Sequence, residues 1–233
     1  MFATCRGQLI LQLVFVSSLV LVNSAGAFRQ GETTVKGHHH DKRVNKTING
    51  FDNEQKAAIL DRHNHLRAQT HASNMLTLTW SPQLESLAQN YTAQCKFQHN
   101  SHRQNVAGFR YVGENLYAGT GDFAPEAVIQ HWYDEVKDYN YRSGRCRPQR
   151  ACGHYTQIVW ADTRSVGCGV KYCEHFNQAN SIGFSQGYLI VCNYGPGGNW
   201  VGQKPYEAGT PCSHCPAGTT CAQGLCGKCG HIL

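Results

Sequence analysis

Beyond residue 27 the sequence offers no hydrophobic run long enough to span a membrane, no internal repeat, no H-E-x-x-H zinc-protease motif and no dense Lys/Arg stripe interleaved with aromatics. These absences exclude a later membrane anchor and a solenoid, and they argue against a nucleic-acid partner. Charge is sparse as well: 21 Lys and Arg against 15 Asp and Glu make a charged fraction of 15% and a formal net charge of +6. Spread along the chain, that excess fits no more than weak attraction to acidic surfaces or glycans. An activated serine is missing too. Residues 183–187, GFSQG, match G-x-S-x-G, but a nucleophile elbow needs a strand before it and a helix after it. Here the match runs into the strand-like GYLIVCNY, and a glycine-rich hairpin connection explains it.

What the sequence does contain begins with an export signal. Arg6 supplies a positive start, residues 9–22 form an apolar stretch short for a span, and Ala25-Gly26-Ala27 is a small-residue cleavage site. Residues 1–27 are therefore read as a signal peptide and the mature protein as secreted and extracellular; losing Arg6 lowers the formal charge to about +5. Export decides how the cysteines are read. Cys5 leaves with the signal, and eleven of the 12 remain, at positions 95, 146, 152, 168, 173, 192, 212, 215, 221, 226 and 229. In an oxidising compartment these read as disulfides, and the odd count leaves one over. Cys229, near the C-terminal end, is the candidate for a free thiol or for the bridge of a dimer. Sequons at Asn45 and Asn90 are compatible with glycosylation.

With 41% apolar and 10% aromatic residues, the chain can bury one good core, so a single globular domain with appendages is expected. Residues 28–52 are polar and aperiodic and read as a flexible leader, with a candidate processing site at Lys42-Arg43 and a weak metal-binding tract at His38-His39-His40. Helical spacing runs through NEQKAAILDRHNHLRAQ on either of two stripes, Ala57, Leu60, Asn64 and Arg67, or Ile59, His63 and Leu66. A second helix opens at Ser81 and Pro82 and aligns Leu84, Leu87, Ala88, Tyr91 and Cys95, with Asn90 off that stripe. A third, PEAVIQHWYDEVKDY, turns Val128, Trp132, Val136 and Tyr139 inward and leaves Glu135 on the shoulder of the buried face, a costly place for an unpaired carboxylate.

VGCGVKYC and GYLIVCNY have strand composition. In the second, Tyr188, Ile190, Cys192 and Tyr194 share one face while Leu189, Val191 and Asn193 share the other, so both faces are covered. Helices before and among a few antiparallel strands predict an α+β, three-layer arrangement over residues 53–207. From Thr210 the composition shifts to TPCSHCPAGTTCAQGLCGKCGHIL, and residues 208–233 read as a tail with few core formers that must be stapled. Its paired C-x2-C spacing would suit zinc in a reducing compartment, but behind a signal peptide it reads as disulfides.

The chemistry-bearing side chains are scattered: His99 after CKFQ, Glu114 in GENLY, Glu135 in the third helix and His154 in GHYTQIVW. Two imidazoles and two carboxylates suit a divalent metal site or acid–base work. The stretches HNHLRA (63–68), CKFQH (95–99), GENL (113–116), HWYDEVKDY (131–139), GHYTQIVW (153–160) and YLIVCNYGPGGN (188–199) together resemble the CAP superfamily of cysteine-rich secretory proteins, venom allergens and plant pathogenesis-related proteins. GTPCSHCPAGTTC looks like the hinge that follows the domain in cysteine-rich secretory and peptidase-inhibitor-type members.

The resemblance implies an α-β-α sandwich with a central cleft, at whose base His99, Glu114, Glu135 and His154 form a tetrad; the two histidines would hold zinc weakly, with the glutamates close by. It also implies disulfides Cys95–Cys168, Cys146–Cys152, Cys173–Cys192, Cys212–Cys221 and Cys215–Cys226, with Cys229 unpaired. The chain stops at Leu233, where venom members continue into a channel-regulating lobe, so channel blocking is not expected. Two functions of different class follow. One is non-enzymatic binding of a lipid or sterol, or of an extracellular protein partner, by a monomer or a Cys229-linked dimer. The other is a metal-dependent or otherwise atypical secreted peptidase with Glu114 or Glu135 as general base. A purely structural tetrad of two His-Glu pairs is compatible with the first, and binding is the expectation because the resemblance is tied to no single reaction.

Overall fold

The computed structural model describes residues 48–122, 124–177 and 182–228. The signal, the leader up to residue 47 with His38–His40, Lys42-Arg43 and Asn45, and Cys229 lie outside the described residues. The first helix, α1 (Asn53–Ala68), opens on a capping box in which the Asp52 carboxylate accepts the Gln55 amide at 2.8 Å and the Gln55 side chain accepts the Asp52 amide. Its buried residues are Ile59, His63, Leu66 and Arg67, so the second of the two candidate stripes faces inward and carries a guanidinium with it. After β1 (Thr79–Trp80) comes α2 (Pro82–Thr92), capped by the Ser81 hydroxyl. Next are the hairpin β2 (Gln104–Val106) and β3 (Phe109–Tyr111), then β4 (Gly113–Gly119) and α3 (Pro125–Tyr133). A 3-10 turn over Asp134–Asp138 leads to a short hairpin, β5 (Tyr139–Asn140) and β6 (Arg145–Cys146), and to α4 (Gly153–Ile158). Long strands β7 (Ser165–Cys173) and β8 (Gly187–Gly195) precede a closing hairpin, β9 (Thr220–Ala222) and β10 (Leu225–Gly227).

Four strands form the central sheet in the order β1-β7-β8-β4, antiparallel except for the β1–β7 pair. The alternation read from β8 decides the layering. Tyr188, Ile190, Cys192 and Tyr194 join a large core with Ile59 and Leu66 of α1, Val128 and Trp132 of α3, and Tyr155 and Ile158 of α4. Leu189 and Val191 join a smaller core with Ala88 and Tyr91 of α2. The fold is therefore an α+β, three-layer α-β-α sandwich, with α2 on one side of the sheet and the other helices on the opposite side. Glycines in β7 let α2 lie against the strand: a Cβ at Gly167 would stand 2.2 Å from the Glu85 amide nitrogen, and one at Gly169 2.6 Å from the Gln89 Cα.

Two of the expected cystine pairings are corrected. The bridges are Cys95–Cys173 and Cys168–Cys192, in place of Cys95–Cys168 and Cys173–Cys192; Cys146–Cys152, Cys212–Cys221 and Cys215–Cys226 pair as the resemblance implies. Strand alternation gives the reason. Cys168 and Cys173 are an odd number of residues apart in β7 and point to opposite faces. Cys168 lies directly across from Cys192 in the large core, while Cys173 faces the α2 side, where Cys95 ends the α2 turn.

Three further expectations change. Val136 is 37% exposed instead of inward, because the chain tightens from α-helix to 3-10 at Asp134 and the stripe set by Val128 and Trp132 rotates away. Residues 48–52, assigned to the leader, are built into the domain: Asn49 bridges Lys171, the Gly50 amide donates to the Val170 carbonyl, and Phe51 is buried. The tail is docked as well as stapled. Leu225 enters the large core, and Cys226 exchanges backbone hydrogen bonds with Met75 and Thr77.

Candidate functional site

The four candidate residues meet as two separate pairs. His99 sits in the loop after α2, and its Nδ1 donates to Glu114 Oε1 at 2.8 Å. The same oxygen accepts the Asn100 amide at 2.9 Å and has Arg103 Nε at 3.7 Å. Glu114 belongs to β4, the edge strand, and its side chain is fully buried while that of His99 is 56% exposed. Glu114 Oε2 is buried with no hydrogen-bond partner among the described residues, and so is the side-chain amide of Asn193, its cross-strand neighbour.

Glu135 forms the second pair. Its Oε1 accepts His154 Nδ1 at 2.7 Å, and its Oε2 accepts the backbone amides of His154 and Tyr155 at 3.0 and 3.2 Å, so the carboxylate caps the first turn of α4. Burial pushes the Glu135 carboxyl up, but the hydrogen bond and charge of His154 and the two backbone N–H groups together outweigh it and hold the group below its ordinary value. The shoulder position read from the third helix is thus a paired one. The Trp132 ring stacks on His154 with centroids 5.8 Å apart and planes 20° apart, while its Nε1 donates to the Leu116 carbonyl.

Both histidines turn Nδ1 to a carboxylate, so Nε2 is the ring nitrogen left out of each pair. Glu114 anchors the first pair on β4, and its neighbour Asn115 reaches the second. Asn115 ties the second pair down by donating from Nδ2 to the His154 carbonyl at 3.1 Å and to the Tyr194 hydroxyl at 3.2 Å. Tyr194 in turn donates to His63 Nε2 at 3.0 Å, and His63 Nδ1 donates to the Ile59 carbonyl at 2.8 Å. Burial, assisted by the charge of Arg67, lowers the His63 pKa to about 4, so the ring is neutral in this chain of hydrogen bonds.

Arg67 fixes the other end of α4. It is 1% exposed and donates to the carbonyls of Leu76, Ile158, Trp160, Ala161 and Thr163. Burial draws its pKa down to about 9, still charged at neutral pH. The short helix that carries His154 is held by an anion at its start and a cation at its end. Asn199 and Gln157 add the loop after β8: Asn199 Nδ2 donates to the Gly153 carbonyl at 2.8 Å, and the Gly198 amide donates to Gln157 Oε1 at 3.0 Å.

No three of His99, Glu114, Glu135 and His154 bring ligand atoms within 4.8 Å of one another. Among the described residues that spacing is met by Cys212, Cys215 and Cys226, all of which are in disulfides and offer no thiolate. Asn90 lies exposed on α2. The 183–187 stretch runs into β8, which opens at Gly187, so a strand and not a helix follows Ser185. Asn115, the stacking of the inward-facing Trp132 on His154, and the supporting roles of His63 and Arg67 were not read from the sequence. A His and an Arg four residues apart on an apolar helical stripe were the available signal for the last two.

The family model described as "CAP: Cysteine-rich secretory protein family" matches residues 60–194. The chain is 42% identical to Peptidase inhibitor 16 of Mus musculus over 177 residues, 74% of this chain and 34% of that protein. It is 35% identical to Peptidase inhibitor 15 of Gallus gallus over 230 residues, covering 92% of this chain and 87% of that one. The chain thus spans about a third of the length of Peptidase inhibitor 16. A solved structure described as "Crystal structure of NaASP2 with Zn2+" superposes with a TM-score of 0.60 at 29% identity, covering 76% of this chain and 97% of that chain.

Proposed function

Since the chain belongs to the CAP, or cysteine-rich secretory protein, family, we propose that it is a secreted, non-enzymatic binding protein. Its His99–Glu114 and His154–Glu135 pairs present two imidazole Nε2 atoms to a weakly held divalent ion, zinc by preference. A lipid or sterol, or an extracellular protein partner, binds over the same surface. The engagement of both glutamates carries this reading. Glu135 accepts through both oxygens, and the one unengaged oxygen of Glu114 belongs to a fully buried side chain. A general base must reach a water or substrate proton. Carboxylates committed to orienting their histidines, one of them fully buried, are poorly placed for that task.

The donor set fits a metal in a specific way: a ligating histidine commonly gives its other ring nitrogen to a carboxylate, as both do here. Two imidazoles without a third ligand atom nearby suit a weak site, and a bound ion would supply Lewis acidity with coordination positions left for ligand. The Zn2+ of the NaASP2 structure supports the choice of metal. Five disulfides among the described residues support export to an oxidising compartment, and no helix among these residues is long and apolar enough to cross a membrane.

Calorimetric titration of the purified chain with zinc tests the site. Weak binding at neutral pH that disappears in His99→Ala/His154→Ala is expected, and unchanged binding in that variant contradicts it. Incubation with a peptide library, in parallel with Glu114→Gln and Glu135→Gln, separates binding from catalysis; cleavage abolished by either substitution would establish the peptidase reading instead.

A further inference from the structure

The positive charge of the chain is not spread evenly, contrary to the reading of its composition. Lys137, Arg142, Arg145, Arg147 and Arg150 fall in a segment with a single acid, Asp138, an excess of four positive charges against +6 for the whole chain. All five cations are exposed. The Asp138 side chain is 8% exposed and lies 3.2 Å from Arg147 and 4.0 Å from Arg150, so it organises the cluster from beneath.

This segment is held in one shape. Its β5–β6 pairing sets Tyr139 against Cys146 and Asn140 against Arg145. The turn is closed by the Gly144 amide donating to the Asn140 carbonyl at 2.9 Å, and the Arg147 amide donates to the Asp138 carbonyl at 2.8 Å. Cys146–Cys152 ties the segment to the start of α4. Arginines on such a frame bind without first ordering a loop, which removes part of the usual entropic cost.

The hairpin walls two hollows. One, of about 500 Å3, has Lys137, Arg145 and Arg147 on its lining with Asp138. The other, of about 310 Å3, runs from Gly144 and Cys146 to Trp200 and Val201, and no acid lines it. Trp200 is 51% exposed although it leans on Tyr111 at 5.3 Å. A cationic hairpin therefore stands beside an accessible indole.

We propose that this hairpin and Trp200 form a docking surface for a linear sulfated polysaccharide. Guanidinium forks match the paired oxygens of sulfate and carboxylate groups, and the indole gives a sugar ring an apolar face to rest on. Short Arg-rich segments are read as nucleic-acid or heparin patches, and two features favour the glycan. Single-stranded nucleic acid is held by successive stacking aromatics, whereas these hollows offer one exposed indole. A lipid surface takes up a broad apolar face, whereas the exposed large apolar residues near the hairpin are few: Val136, and Trp200 and Val201 on the wall of a hollow.

The test measures binding of a size-defined heparin oligosaccharide to the full chain by calorimetry over a series of NaCl concentrations, with hyaluronan, phosphatidylserine vesicles and single-stranded DNA as competitors. The variant Arg142→Gln/Arg145→Gln spares the two arginines that hold Asp138, and Arg142→Gln alone serves if the pair destabilises the hairpin. The double variant should bind about tenfold or more weakly with a shallower salt dependence, Trp200→Ala should weaken binding too, and Lys96→Gln on the far side of the sheet should bind like the parent. Parent-like heparin affinity in the arginine variants, or hyaluronan, vesicles or DNA binding as tightly as heparin, would overturn the assignment.

Discussion

His63 makes the chain acid-sensitive from pH 6.5 downward, starting above the range of ordinary carboxylates. In the folded protein its Nδ1 donates to the Ile59 carbonyl and its Nε2 accepts from Tyr194, so the neutral ring is satisfied on both sides. A second proton would point Nε2–H at a hydroxyl that already donates to it, in a fully buried site one helical turn from the Arg67 cation. The pKa falls from an ordinary 6.5 to about 4 as a result. Between these values the unfolded chain binds a proton that the folded chain refuses, so stability rises with pH across the window and is lost as pH falls below 6.5. The depressed pKa makes the loss about 2 kcal/mol at pH ~5 and about 3 kcal/mol at pH ~4, relative to neutral pH. Urea unfolding of the parent and of His63→Gln, which keeps an amide near Tyr194 but does not titrate, isolates this contribution. The variant costs about 1 kcal/mol at neutral pH for the lost Ile59 hydrogen bond. The stability difference between the two proteins should shrink by about 2 kcal/mol at pH ~5, so that the variant becomes the more stable. A difference that stays flat with pH would mean that His63 takes up its proton as readily in the folded chain as in the unfolded one.

Arg67→Met should cost about 3–5 kcal/mol in urea unfolding at neutral pH, because the buried carbonyls around the end of α4 lose charged donors with no water to replace them; a loss below about 1 kcal/mol would mean that these carbonyls find other partners. Glu135→Gln should destabilise by about 2 kcal/mol at neutral pH. Since the Glu135 carboxyl is held below its ordinary 4.5, its contribution is fully present above that value and is lost as pH falls through the lower native one, so the parent and variant curves should converge in acid. Peptide mapping without reduction should recover Cys95 linked to Cys173 and Cys168 linked to Cys192; recovery of Cys95 with Cys168 would restore the pairing implied by resemblance.

The layered fold was legible because β8 alternates cleanly, with two apolar faces that each need a cover, and because Ser81-Pro82 and the periodic residues after it mark a helix. Pairing was not: the odd separation of Cys168 and Cys173 puts them on opposite faces, but which of them meets Cys192 is set by the β7–β8 register. Val136 went astray for a different reason. A period of 3.6 was carried through a stretch that tightens to 3-10, and no residue in DEVKD announces the change. Residues His99, Glu114, Glu135 and His154 were picked out by type and motif, but their assembly into two His–Glu pairs, one of them built on β4, is a tertiary fact. The same holds for Arg67, whose partners are backbone carbonyls and leave no trace in side-chain identity. The arginines of residues 142–150 were in plain view, but a count over the whole chain averaged them away.

The proposed site consists of two imidazoles that each give Nδ1 to a glutamate and keep Nε2 for a ligand. Nitrogen-15 NMR of the histidine rings, recorded at neutral pH before and during zinc addition, tests this most directly. His99 and His154 should both show a protonated Nδ1 and an unprotonated Nε2, with zinc shifting the Nε2 resonances of these two rings alone. Protonated Nε2 in either ring, or zinc shifts that fall elsewhere, would contradict it.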